Sequence, residues 1–297
     1  MSSLSKRTAR ERKQAIIGAA YIAPSFILMA IFNVTPIFMS FFFSFTKYNM
    51  ASAPEWIGLD NYVRLFNNKV LTEALSNTLR YVLMTVPMQT ALSLFIAAFI
   101  AENLQNEYGS FLRSSIFIPV IVSLIASATV WNIMYQPKGG IINQVLNHFG
   151  FNSVNFLGKK AYALPSVSVV AIWKNTGYYM VIYYAGVMNV PVDIREAAIV
   201  DGATPIKRFW HITLPILKPI TYMIITLGII SSFQVFDLVY KMTGGGPGRS
   251  TYTVAYVIYT FAFQDKNYGY ASAVAICLLV FILLIHLVQT AVFKEDD

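Results

Sequence analysis

Residues 193–215, DIREAAIVDGATPIKRFWHITLP, stand between two long apolar stretches, 163–188 and 212–240. Pro191 takes the chain out of the first stretch. Asp193 is placed to cap a new helix, with Glu196 at the capping-box position three residues later. Ala197, Ala198, Ile199 and Val200 supply small and apolar surface. Gly202 then ends the helix or permits close approach of another backbone. The spacing predicts a helix of about two turns lying along one face of a membrane. Its small residues suit a groove on a partner, and Glu196 offers a charge to pair there.

The rest of the chain supplies that membrane. A spanning helix needs ~20 mostly apolar residues, because the hydrocarbon core is about 30 Å thick. Six windows meet this: 15–46, 77–101, 114–135, 163–188, 212–240 and 270–292. They cover 157 of the 297 residues yet hold four of the 36 charges: Arg80, Lys174, Lys218 and Asp237. The runs are continuous, without period-two alternation, so helices rather than barrel strands are expected.

Composition agrees. The chain is 56% hydrophobic and 12% charged, against about 45–50% and 25% for soluble domains, and its mean hydropathy is +0.56. This excludes an ordinary cytosolic enzyme and a disordered chain. The net charge of +8 forms no basic stripe or recognisable motif, so nucleic acid is not an expected partner. The single cysteine, Cys277, excludes a disulfide framework and a thiolate metal cluster, and reads as a packing residue in an apolar run. His148, His211 and His286 lack ligand spacing, so no metal site is expected.

Residues 1–14 carry five basic residues and one acidic residue, which places the N-terminus in the cytoplasm. The following apolar run is too long for the core of a signal peptide, and no small-residue cleavage site follows; it reads as a retained anchor. Six crossings return the tail, 293–297, to the same side. Residues 15–292 are thus expected to be one multi-pass domain of a cell-membrane protein in contact with lipid, with a cytoplasmic loop at 189–215. Outside, 47–76 and 136–162 are long loops, and the spacing within 141–149 predicts an interfacial helix. Pro87, Pro119 and Pro165 are candidate kinks, with Pro119 interrupting the third span. Arg80 and Lys218 lie near window ends, where long side chains snorkel.

Glu196-Ala197-Ala198, Gly202 six residues after the glutamate, then Ile212 and Leu214-Pro215 resemble the EAA loop of permease subunits of ABC importers. Residues 56–62, Trp-Ile-Gly-Leu-Asp-Asn-Tyr, are similar to the outer segment after the first helix in the sugar-importing branch. Thr243-Gly-Gly-Gly-Pro-Gly248, followed by Ser250-Thr251, is similar to that branch's outer turn after the fifth helix. A phosphate-binding reading of that turn fails for want of a following Gly-Lys-Ser/Thr, which leaves a flexible outer turn. The resemblance covers about residue 15 to the C-terminus. It implies an all-α, six-helix, MetI-like bundle and a MalF-like subunit of a type I carbohydrate importer. It also implies a second permease, two ATPase subunits that bind the ATP and magnesium, and an extracytoplasmic solute-binding protein; this chain itself would be non-catalytic and hold no cofactor. Asp193, Glu196, Ala197, Ala198, Asp201 and Gly202 are the ATPase-docking candidates.

Polar groups within a membrane need a reason. Trp173, Lys174, Asn175, Tyr178 and Tyr179 occur in the fourth window, and Ser231, Gln234 and Asp237 recur every three residues in the fifth. An indole face suits the C–H surface of a sugar ring, and amides and hydroxyls suit its hydroxyls. The resemblance implies a sugar site on these helices, at Trp173, Lys174, Asn175, Tyr178, Ser231 and Gln234. Packing or interfacial roles stay open for each. Lys174 could pair with Asp237 or favour an anionic saccharide. The alternative class is an ion-coupled secondary transporter, for which Asp237 is the candidate carboxylate.

Overall fold

The computed structural model describes the backbone of residues 2–293 and the side chains of residues 11–291. The side chains of Lys6, Arg7 and Arg10 and the tail 294–297 lie outside the described residues, so the cytoplasmic placing of the two ends is not addressed by them. The chain divides into two compact units, 1–67 with 261–277 and 68–260 with 278–297.

The first unit opens with α1 (Ser2–Met29), a wide π-type turn (Ala30–Val34) and α2 (Thr35–Ser44). Pro36 has no N–H to offer the preceding turn, so the ladder widens there, and Thr35 Oγ1 donates to Ala30 O at 2.9 Å. The chain then makes a two-stranded antiparallel ribbon that the sequence reading did not anticipate, β1 (Thr46–Lys47) on β2 (Glu55–Trp56), followed by α3 (Asp60–Phe66). Buried Asn61 ties these together, its Nδ2 donating to Ser44 O and Thr46 O, both at 2.9 Å. Residues 47–66 therefore carry folded elements rather than an open loop, and residues 69–76 are helical.

The second unit is built on two long helices, α4 (Lys69–Asn103) and α8 (Lys160–Met188), packed along each other. Between them come α5 (Glu107–Ile121), α6 (Leu124–Met134) and the expected short helix α7 (Ile141–His148). After α8 follow α9 (Val192–Val200), α10 (Pro205–Arg208), a π-type turn (Phe209–Thr213), α11 (Leu214–Ile216) and α12 (Lys218–Phe233). Then come α13 (Asp237–Met242) and α14 (Val254–Tyr259), after which a further π-type turn (Thr260–Gln264) leads into the later stretch of the first unit. The last helix, α15 (Tyr268–Phe293), contributes to both units.

Among the described residues, three helical stretches are long and apolar enough to cross a bilayer, Glu11–Ser44, Lys69–Asn103 and Tyr268–Ala291. Two bent pairs raise the number to five: α5 with α6, at 98°, and Pro205–Ile216 with α12, at 68°. The fourth window forms α8, 29 residues or about 43 Å long. Its length suffices, but Lys174, Asn175 and a run of tyrosines make it less apolar than the others. The protein is a polytopic helical membrane bundle.

Helix contacts are close where glycine allows. A Cβ on Gly177 of α8 would lie 2.2 Å from Ile116 O of α5, so that crossing tolerates no side chain. Buried hydroxyls join the helices. Ser93 Oγ donates to Thr176 O at 3.0 Å, Thr85 and Ser232 hydroxyls lie 3.1 Å apart, and Tyr183 OH donates to Thr221 Oγ1 at 3.0 Å. In an apolar surrounding each such group needs a partner, because leaving one dry and unpaired costs about 1–3 kcal/mol.

The glycine-rich turn after α13 is hydrogen-bonded within itself and to α14. Tyr256 OH donates to Gly244 O at 2.9 Å, Thr251 Oγ1 donates to Gly246 O at 2.9 Å, and Thr243 and Thr251 hydroxyls lie 2.7 Å apart. Gly244, Gly245 and Gly248 hold positive φ there, which glycine adopts without strain.

Candidate functional site

The third span breaks after Ile121, two residues beyond Pro119, and α6 leaves at 98°. A helix end exposes carbonyls without intrahelical donors. Lys174, buried on α8, fills that need: its Nζ donates to Pro119 O at 2.8 Å, to Val120 O at 3.3 Å, and to Val122 O. A cation at a helix C-terminus also meets the negative end of the dipole. Of the alternatives open for Lys174, pairing with Asp237 does not form: the ammonium donates to these three carbonyls. Asp237 instead opens α13 and is exposed.

The fifth span breaks too. It does not run to residue 240 as one helix: α12 stops at Phe233, Gln234 caps it, and the chain restarts at Asp237. Thr253 Oγ1 donates to Val235 O at 2.8 Å and satisfies the carbonyl freed by the break. Ser231, Gln234 and Asp237 therefore do not form one helical stripe. They converge because the chain bends.

Between these two breaks lies a cavity of about 150 Å³, bordered by Tyr81, Lys174, Asn175, Ser231, Gln234 and Asp237. Four of the six substrate-path candidates are thus brought together. Trp173 and Tyr178 do not border it. Trp173 borders an apolar groove, edge-on to Trp131 with ring centroids 5.5 Å apart, and Tyr178 is exposed beside Tyr179. Tyr179 packs in the core with Met180 and Tyr183 rather than sharing a face with Lys174. One residue passed over in the sequence lies behind the cavity: Gln89, fully buried on α4, accepts from Asn175 Nδ2 at 3.2 Å. A glutamine in the middle of an apolar span was the available signal.

No residue of the segment 193–215 is buried. Pro191, not Asp193, is the N-cap of α9, and no side chain caps it. The capping box does not form, because the turn at Pro191 starts the helix two residues early and puts Asp193 in its first turn. The C-terminus follows the glycine reading. Ala203 N donates to Ala198 O at 2.9 Å and Gly202 N to Ile199 O at 3.0 Å, with Gly202 at φ +74°, a Schellman closure. Nothing lies within 4 Å of a Cβ built on Gly202, so close approach of another part of this chain is not its role. No residue of α9 is buried. Asp193, Glu196, Ala197, Asp201 and Gly202 are exposed and Ala198 is half-buried. A bond not foreseen from the sequence anchors the segment to the bundle: Arg208 pairs with Glu102 at the end of α4, while its Nη1 donates to Ala203 O at 3.0 Å. Among the described residues, no three His, Cys, Asp or Glu side chains gather as a metal site.

Bent apolar helices around a polar cavity, with an exposed surface helix whose following segment is tied to the bundle through Arg208 and Glu102, are the build of a membrane permease. The chain belongs to the family described as binding-protein-dependent transport system inner membrane component, which matches residues 57–295. It is 32% identical over 282 residues to the probable ABC transporter permease protein YurN of Bacillus subtilis, covering 94% of this chain and 96% of that one. It is 31% identical over 288 residues to the trehalose/maltose transport system permease protein MalF of Thermococcus litoralis, covering 96% of each. The fold matches that of a bacterial ABC transporter involved in import of the acidic polysaccharide alginate, with a TM-score of 0.86, 24% identity and coverage of 98% and 99%.

Proposed function

We propose that this chain is one of two membrane-spanning subunits of an ATP-driven importer of a sugar or oligosaccharide. The observation that carries the reading is α9: a helix with no buried residue, apolar and small on its surface, carrying Glu196 and closed by Gly202. A free-standing helix of nine residues has no stability of its own, so it calls for a partner. The partner is an ATPase subunit, which holds the ATP and magnesium. ATP-driven closure of two such subunits moves the α9 hooks, and the Arg208–Glu102 pair passes that movement to α4.

The cavity supports a second permease. At about 150 Å³ it falls short of the ~300–1,000 Å³ usual for a small-molecule pocket, so a facing subunit would complete it. Asn175, Ser231 and Gln234 supply the amide and hydroxyl groups that sugar hydroxyls need. The sugar itself is suggested by relatives such as the trehalose/maltose permease, and a solute-binding protein would deliver it on the outer side. Family membership favours this over an ion-coupled transporter built on Asp237.

Co-purification tests the docking. Glu196→Lys is expected to abolish capture of the ATPase while the membrane bundle still elutes as folded protein. Full capture by that variant rejects the docking role of α9. Transport against a gradient by this chain alone in vesicles would reject the whole reading.

A further inference from the structure

A second feature lies on the α4–α8 pair, away from the central cavity. Where both helices begin, a cleft of about 600 Å³ is bordered by Arg80, Lys160 and Arg249, with Glu73 the one carboxylate, 3.9 Å from Arg249. The cleft is constructed rather than incidental. Asn77 Nδ2 donates to Arg249 O at 2.9 Å and Tyr252 O at 3.1 Å, which fixes the 249–252 loop over α4. Gly248, at φ +54°, leaves room for Lys160, whose Cε would lie 2.8 Å from any Cβ there. Three cations face one carboxylate, all at the level where the apolar windows start.

A separate apolar groove of about 760 Å³ lies further along the same two helices, closed on its other side by Ile116, Pro119 and Trp131. The same two ridges border both. On α4 the i+4 row runs from Arg80 and Met84 in the cleft to Met88, Leu92 and Ile96 in the groove; on α8, Pro165 gives way to Val169 and Trp173. On both helices the charged cleft is thus followed, one helical turn on, by the apolar groove.

We propose that cleft and groove form one slot that holds an acidic glycerophospholipid. Its phosphodiester sits among Arg80, Lys160 and Arg249, and one acyl chain lies along Met88, Leu92, Val169 and Trp173. Charge complementarity selects this occupant. An apolar transmembrane helix filling the groove would leave the excess of cations at its end without an anion, whereas a lipid brings anion and hydrocarbon in one molecule. Basic pockets beside membrane helices hold anionic head groups for this reason. The inference is independent of the transported solute.

The test uses the assembled transporter purified in detergent. It is mixed with equal phosphatidylglycerol and phosphatidylcholine of matched chains, and bound lipid is counted by native mass spectrometry. The wild type is expected to retain the anionic lipid preferentially. Arg80→Gln with Lys160→Gln is expected to lose the preference, by about fivefold for each cation removed, while phosphatidylcholine is retained as before. Equal retention of the two lipids by the wild type, or an unchanged preference in the double variant, overturns the proposal. Two measurements leave the cleft intact. Glycerol phosphate, which has no chains, is expected not to displace the lipid; displacement at equal concentration would reduce the feature to an anion site and overturn the slot. A photoreactive side chain at position 169 is expected to cross-link to lipid. Cross-linking to a polypeptide overturns the proposal in favour of a partner helix.

Discussion

Lys174→Met tests whether this lysine is a structural cap or a substrate contact. In the wild type three charge-assisted bonds reach Pro119, Val120 and Val122 carbonyls. Such bonds contribute about 1.5–3 kcal/mol each, or roughly 5–9 together, against a desolvation cost of several kcal/mol for an ammonium without a carboxylate partner. Methionine removes both sides of that balance and leaves three carbonyls without their donor. Dry, each would cost about 1–3 kcal/mol. Val122 is exposed and the cavity adjoins Lys174, so water recovers part of this. The expected net loss is about 2–4 kcal/mol, concentrated at the α5–α6 bend. Two readouts follow it: thermal unfolding of the purified protein, and the distance between spin labels at positions 112 and 130, either side of the bend. The variant should unfold earlier and show a broadened distance distribution. If unfolding and distance match the wild type while uptake of acidic saccharides alone falls, Lys174 is a substrate group and the capping role is wrong.

The remaining predictions concern separate contacts. Gly177→Ala should cost about 3 kcal/mol or more, since the new methyl meets the Ile116 carbonyl at 2.2 Å and backbone cannot yield as a side chain would; size-exclusion profiles of the expressed variant will show whether the α5–α8 crossing survives. Gly202→Ala meets no atom but must hold φ +74°, so about 1 kcal/mol is expected, read as weaker ATPase capture with an intact bundle. Glu102→Gln should free the 203–210 segment for about 1 kcal/mol, seen as faster proteolysis there. A matching Arg208→Gln variant should add little, because both act on one pair. Gln234→Ala and Ser231→Ala should lower uptake without changing the unfolding temperature; unaltered uptake in both would remove the cavity from the path.

Much of the fold was legible because it depends on one local property. The windows at 77–101, 163–188 and 270–292 need only apolar content and length, and the structure extends each by a few residues into polar flanks, as at Lys69–Asn103. Gly202 was legible as a helix stop for a similar reason, since a residue at positive φ is favoured locally whatever surrounds it. The capping box at Asp193 and Glu196 was misread because two start signals competed. Pro191 fixes its own φ and opens the turn first, so the later motif has no free N-terminus to cap. Residues 47–76 read as loop in the sequence because a two-residue ribbon and a seven-residue helix leave too short a periodic trace. Their organiser, Asn61, acts through backbone carbonyls 15 and 17 residues away.

The cavity was half legible, for a physical reason that concerns helix breaks. Apolar content registers whether residues are inside the bilayer, but it does not register whether the helix through them is continuous. A break inside a membrane persists only where the freed carbonyls find donors. Those donors come from elsewhere in the chain: Lys174 from α8 for the break after Ile121, and Thr253 from beyond the glycine-rich turn for the break at Val235. Read alone, a lysine in a span suggests a charge partner or a ligand, and Asp237 was the nearest candidate. Read with the break, its three protons match three stranded carbonyls. Asn175, Ser231 and Gln234 then border the space between the two bends, while Trp173, one residue from Lys174 and about 100° around the helix, borders the apolar groove instead. A polar residue's neighbour in sequence is therefore a poor guide to its company in this bundle; the donor demand of a broken helix is a better one.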